Sequence, residues 1–322
     1  MNKTISTLLL LCICSLSFAQ NNFRRTKIKP EYTSLQNTTE IGVNFGMTAF
    51  LGDLGGTRGK GKPFSKDLNG ISFRPQLGLS YGYYPMQWLK VMGTFNYTTI
   101  TGADSVIKTK INQSAGRYER NLSFRSRVQE LQLSGEIYPL QIFDRTHRET
   151  LLKPFVGLGI GGFHFNPKAE LNGDWVKLKP LRLEGEGFSE YPQSKQYSLY
   201  QLYIPVTGGV KYRLDDQISL AASITFRKVF SDYLDDVSKV YIDPTLFDKY
   251  LSPNDAGIAR QLYYRGRDNV TPKPGSTRSY SERNDSYTTI FVTFNYNFGE
   301  RKTREERVSD RVIKVKRFRR RN

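Results

Sequence analysis

Cysteine is almost missing from this chain. The two that exist, Cys12 and Cys14, lie in or beside a short apolar run over residues 5–13. Lys3 precedes that run and Ser17-Phe18-Ala19 follows it, the pattern of a secretory leader over residues 1–19 with Gln20 as the first mature residue. The run is too short to cross a bilayer, which takes about 20 apolar residues. Neither cysteine follows the small-residue pattern of a lipoprotein leader. The mature chain then has no cysteine, which excludes disulfides, thiolate chemistry and cysteine-based metal sites.

Histidine is nearly as scarce, with His147 and His164 the only two. No phosphate-cradling loop and no metal-ligand spacing is present, so the expectation is no enzyme, no cofactor and no metal. Long apolar runs are also missing after Ala19, and mean hydropathy is −0.52. That excludes membrane-spanning helices but not membrane-spanning strands, which show lipid an apolar residue only at every second position.

What the chain has in quantity is Tyr (20), Phe (20) and Gly (27). This profile suits either two soluble β-domains or one aromatic-banded barrel. Eight segments alternate with period two. In the last, Ile290, Val292, Phe294, Tyr296 and Phe298 oppose Thr289, Thr293, Asn295 and Asn297. In the seventh, Ile218 to Phe226 oppose Gln217 to Arg227; in the sixth, Leu202, Ile204, Val206, Val210 and Tyr212 oppose Gln201, Thr207, Lys211 and Arg213. The first sets Ile41, Val43, Phe45, Met47 and Ala49 against Gly42, Asn44, Gly46 and Thr48. Residues 73–83, 89–99, 127–138 and 153–165 complete the set, the last being least regular with Gly157, Gly159, Gly161 and Gly162.

Loop length decides between the two readings. Residues 84–87, 139–151 and 214–216 are short or moderate links, whereas 52–70, 102–121, 166–199 and 231–287 are long. Strict alternation is what turns on the periplasmic side and loops outside produce. The predicted fold is all-β: an eight-stranded antiparallel up-and-down transmembrane β-barrel over residues 39–299 with both ends periplasmic. A periplasmic segment (20–38) precedes it and a basic tail (300–322) follows.

Two sets of side chains fit this frame. Tyr83, Trp88, Tyr138, Tyr212 and Phe298 fall at the periplasmic strand ends, where an interfacial aromatic girdle belongs. Arg74, Lys90, Glu130, Glu136, Lys211 and Arg227 take the inward parity. Eight strands enclose only enough room for side chains, so these charges are expected to form a paired lumenal network and not a conducting pore.

The charge of +18 is uneven. The tail carries Arg301, Lys302, Arg304, Arg311, Lys314, Lys316, Arg317, Arg319, Arg320 and Arg321 among eleven basic residues, against Glu305, Glu306 and Asp310. It is either a solvated charge run or a docking segment for an acidic periplasmic protein, anionic lipid or the cell wall. Nucleic acid is not an expected partner, because the compartment is wrong and no recognition module is visible. A smaller basic stretch lies at 24–29. In the fourth long loop, Asp232, Asp235, Asp236 and Asp243 could ligate a hard cation such as calcium, but their spacing matches no EF-hand loop. An ordered, capped loop folding back over the barrel mouth fits them better. His164, with Ser198 across the third loop, is the sole candidate for a rim lipid hydrolase or acyltransferase; a structural strand-end histidine is the commoner case.

Phe50-Leu51-Gly52-Asp53-Leu54 and Ser231-Asp232-Tyr233-Leu234-Asp235-Asp236-Val237-Ser238 resemble a Bacteroidota outer-membrane β-barrel family of the PorG type, whose best-known member is a type IX secretion system component. The resemblance spans residues 39–299 and rests most on the second string; the basic tail has no counterpart in it. It implies an outer-membrane anchor that tethers periplasmic ring proteins of the secretion machine. The alternative is a general surface barrel whose loops bind matrix, host or other membrane proteins.

Overall fold

The structure, a computed structural model, describes residues 35–52, 54, 73–106, 119–143, 151–215, 217–266, 270–279 and 284–298. The leader, the segment 20–34, Asp53, His147 and the tail from Arg301 lie outside the described residues.

Alternating sequence becomes strand wherever both faces have a place to go. The barrel strands are β1 (Thr39–Leu51), β2 (Arg74–Met86), β3 (Leu89–Ala103), β4 (Ser123–Ile137), β5 (Leu152–His164), β8 (Tyr200–Arg213), β9 (Ile218–Val229) and β10 (Ser286–Phe298). Between β5 and β8 lies a hairpin, β6 (Pro167–Leu171) and β7 (Asp174–Lys177). All pairings are antiparallel, and the sheet runs β3-β2-β1-β10-β9-β8-β5-β4 with β3–β4 closing it. The result is a closed eight-stranded barrel with the hairpin added to the end of β4. Closure removes every barrel edge, so backbone polar groups are satisfied without water.

The faces are inverted relative to a soluble protein. On the outside, Leu79, Leu131, Ile160 and Leu202 are 58%, 67%, 67% and 68% exposed. On the inside, Glu130 and Arg227 are 1% and 0% exposed. An apolar band continuous round eight strands far exceeds what a soluble monomer shows water, and it is the wall a hydrocarbon layer requires. The barrel strands run from 12 to 15 residues, longer than the 9–11 that cross a bilayer. Their ends therefore project beyond the hydrocarbon.

Three links at one end are short and four at the other are long. The β2–β3 turn is only Gln87-Trp88, because β2 continues through Tyr84 to Met86 past a bulge after Tyr83. The turn expected at 84–87 is thus shortened and shifted to 87–88. The β4–β5 link carries a short helix, α1 (Pro139–Phe143). The long links are not plain loops. The third holds the β6–β7 hairpin, and the fourth holds α2 (Leu246–Tyr250) and α3 (Pro253–Tyr263). α3 starts where Ser252 accepts the Asp255 N–H at 3.2 Å, with Pro253 in the first turn. Together these segments build a cap in which Leu181, Leu183, Phe188, Leu234, Ile242, Phe247, Ala259 and Leu262 are buried, in one apolar core with Phe50, Ile100, Phe163, Tyr203 and Tyr287 of the barrel.

Candidate functional site

The lumen is filled by two polar clusters stacked along the barrel axis. Towards the short-turn end, Lys90 Nζ lies 2.8 Å from Glu40 Oε1 and 3.4 Å from Glu136 Oε2, and Lys211 pairs with the other Glu40 oxygen. Lys211 also donates to Tyr84 Oη at 2.7 Å, and Tyr138 Oη donates to Glu136 at 2.9 Å. Tyr84, Tyr138 and Phe155 pack beneath as an aromatic floor, with ring centroids 6.1 and 5.6 Å apart.

Towards the long-loop end the centre is Glu130. One oxygen accepts from Arg227 at 2.7 Å, Asn96 at 2.7 Å and Gln76 at 3.1 Å, and the other accepts from Tyr287 at 2.7 Å. The Arg227 guanidinium also faces the Tyr287 ring at 5.0 Å. Thr48 and Thr289 both donate to Gln76 Oε1, extending the network to β1 and β10. A buried pair survives desolvation only when its remaining lone pairs and protons are matched in this way. The space left between the clusters is about 50 Å³, room for a few waters and not for a solute.

Of the six charges with inward parity, the structure brings Lys90, Glu130, Glu136, Lys211 and Arg227 into the lumen. Arg74 is a correction. It is the first residue of β2 and is exposed, with Nε donating to Thr101 Oγ1 at 3.1 Å and no lumenal partner among the described residues. Glu40, unassigned from sequence, is the acid shared by both lysines; its even parity with Gly42 and Asn44 was the available signal. Tyr138 is the second correction. It is buried in the lumenal floor and takes no part in an outer girdle, whereas Tyr83 and Phe298 are exposed at the short-turn end and Trp88 and Tyr212 are half-buried there.

The cap closes the other mouth. Asp235 Oδ2 accepts the Leu54 N–H at 3.1 Å and Oδ1 the Val237 N–H at 3.0 Å; Asp232 accepts from Ser238 Oγ at 2.7 Å. Asp236 takes a left-handed backbone (φ 65°) and accepts from Tyr197 Oη at 2.5 Å. Glu184 accepts the Ser238 and Lys239 N–H groups and pairs with Arg278 at 3.0 Å. Arg120 pairs with Asp104 at 2.8 Å and donates to the Arg278 carbonyl at 2.6 Å. The described parts of all four long connections are therefore tied to one another. Burial, then the charges of Asp236 and Glu184, pushes the Glu186 carboxyl up, and burial does the same to Asp236. Among the described residues no three or more His, Cys, Asp or Glu group as a metal-ligand set; the loop carboxylates serve backbone N–H groups and hydroxyls instead.

His164 sits half-buried on the outward face of β5 with its ring 4.9 Å from that of Tyr200. Ser198 Oγ accepts the Tyr200 N–H at 3.1 Å. Among the described residues no hydrogen bond joins His164 to Ser198.

An apolar outer wall, a closed lumen and a packed cap define a membrane-spanning β-barrel of the outer-membrane type. A family model described as a domain of unknown function, DUF6089, matches residues 31–243, more than half of the chain, and the chain belongs to that family. The match contains both motif strings. No curated protein matches the sequence. Among solved structures, the barrel is similar to Ail, the attachment invasion locus protein of Yersinia pestis (9% identity, 82% of this chain and 99% of that one, TM-score 0.36). It is also similar to OprG from Pseudomonas aeruginosa (12%, 84% and 100%, 0.38) and to a major outer membrane protein from Thermus thermophilus (14%, 81% and 99%, 0.34).

Proposed function

We propose that this protein is a non-enzymatic outer-membrane anchor of the PorG type, which tethers periplasmic components of the type IX secretion machine. The observation that carries this reading is the obstructed lumen: among the described residues two polar clusters, an aromatic floor and a cap fill it and leave only about 50 Å³ between the clusters. Transport being set aside, function falls to the surfaces. β1 begins and β10 ends at the short-turn end, in register at Thr39 and Phe298, so the basic segment from Arg301 follows directly from that end of the last strand. On this reading the short-turn end faces the periplasm, and Arg301–Asn322 presents its cations to an acidic partner there.

A second reading is a surface barrel that binds matrix, host or neighbouring membrane proteins through its cap. The ordered core of the cap favours it, since a preformed surface binds without an ordering cost. Pull-down from detergent-solubilised membranes, with and without Arg301–Asn322, separates the two. Anchoring predicts that periplasmic secretion proteins come down with the full chain and are lost with the truncated one. Recovery of no periplasmic protein by either form overturns it.

A further inference from the structure

One cluster of cations has no place in the lumen or the cap. On the outer face of β4 the apolar series Leu133, Leu131 gives way to Gln129, Arg127 and Arg125. Here β5 has left β4 and the hairpin takes over the pairing, with Arg125 opposite Lys168. The departure leaves a concavity of about 350 Å³ on the barrel exterior, lined by Arg125, Arg127, Gln129, His164, Lys168 and Trp175. The Arg125 guanidinium is held over the Trp175 ring at 4.6 Å.

Two features separate this groove from ordinary surface charge. The buried cations of lumen and cap described above have carboxylate partners, yet among the described residues no carboxylate pairs with Arg125, Arg127 or Lys168. Glu170 shares the face of Lys168 but stands two pairs further out, opposite Trp175, without bonding to either arginine. The second feature is height. Gln129 is in register with Tyr97 on one side and His164 on the other, and His164 is in register with Tyr200. Tyr97 and Tyr200 are exposed outward-facing aromatics at the top of the apolar wall, which is the level of a membrane–water boundary. Leu131, Leu133, Ile160 and Leu158 lie exposed directly below.

We propose that this groove binds the phosphate group of an anionic membrane lipid, whose acyl chains lie on the leucines and isoleucine beneath. The two guanidinium forks suit phosphate oxygens, and the apolar half of the site suits an acyl chain and nothing on a free anion. The proposal rests on the barrel being embedded with this end at a leaflet boundary, and not on the anchoring role; failure to capture secretion proteins leaves it intact.

Trp175 is the natural reporter, since Trp88 at the opposite end is the only other indole. The test uses the full chain with Trp88→Phe, in phosphatidylcholine nanodiscs containing increasing fractions of diphosphoryl lipid A. Trp175 emission is expected to shift and saturate. Replacing Arg125, Arg127 and Lys168 together by Gln is expected to raise the half-saturating fraction at least tenfold, while R125K/R127K, which keeps charge but loses the forks, falls between. Folding of each variant is read from its unheated gel migration. If the triple variant does not fold, exposed Arg127→Gln alone is expected to give a threefold or greater loss. Inorganic phosphate added to lipid-A-free discs is expected to give no shift. An equal shift with phosphate overturns the lipid assignment, and an unchanged response in the cation-free variants overturns the site.

Discussion

The Leu54 backbone N–H donates to Asp235 Oδ2 at 3.1 Å, across 181 positions of sequence. Each residue belongs to one of the two strings that carried the family resemblance. The first loop is thereby held by the fourth, and Asp235 fixes its own loop through Val237 with the other oxygen. Asp235 is fully buried and accepts both N–H groups.

Asp235→Ala orphans these two donors at roughly 1–3 kcal/mol each. The cap is expected to become protease-sensitive while the barrel keeps its heat-modifiable gel migration. Equal loss of both would show that cap and barrel fold as one cooperative unit.

Glu130 accepts four hydrogen bonds in the lumen. Arg227→Met leaves that carboxylate uncompensated and is expected to cost about 3–5 kcal/mol. Adding Glu130→Gln should recover part of the loss, so the double variant costs less than the sum of the two singles. Urea unfolding in detergent micelles, followed by gel migration, measures the difference; strict additivity would mean that the two residues do not act as a pair.

In the cap, Glu186 and Asp236 hold protons that water would remove. Burial first, then neighbouring acids, raises Glu186 to about 8; burial raises Asp236 to about 7. A carboxyl raised in the folded state binds more protons than the unfolded chain, so its stabilising effect is full below the ordinary carboxylate range. That effect is lost as pH rises to about 8. Hydrogen exchange at residues 184–188 and 233–238 is therefore expected to show faster opening at pH 8.5 than at pH 6, after correction for intrinsic exchange. Glu186→Gln should reduce the difference. A cap that opens no faster at the higher pH would show that these carboxyls are ionised throughout.

The barrel was legible because lipid outside and polar groups inside impose period two on every strand. β5 was the least regular for a reason visible at Gly161: a Cβ there would lie 2.2 Å from Tyr203 Cζ, so the strand gives up side chains to admit that ring. Tyr84 and Tyr138 read as turn and girdle aromatics because parity at a strand end is ambiguous until the bulge and α1 are seen. Arg74 read inward because parity does not say which way a long side chain turns at the first residue of a strand. A fourth loop folding back over the mouth was legible from its aromatics, but the internal structure of the cap was not. Its helices and hairpin answer to contacts between distant loops, such as Phe188 stacked on Tyr250 at 4.1 Å. Local signals did exist: Ser252-Pro253-Asn254-Asp255 is a helix start, and Asn172-Gly173, both at positive φ (53° and 93°), is a hairpin turn.

The shared core of the cap also limits how the long-loop end of this molecule can diversify. Separate loops can drift one at a time, whereas here a change at Asp235 or Arg278 must be answered in another loop. Even the Asn172-Gly173 tip, open around Gly173, is held by its backbone, since both residues take positive φ (53° and 93°) and a side chain on Gly173 would be strained. A partner that reads the described part of this surface would meet loops whose shapes depend on one another.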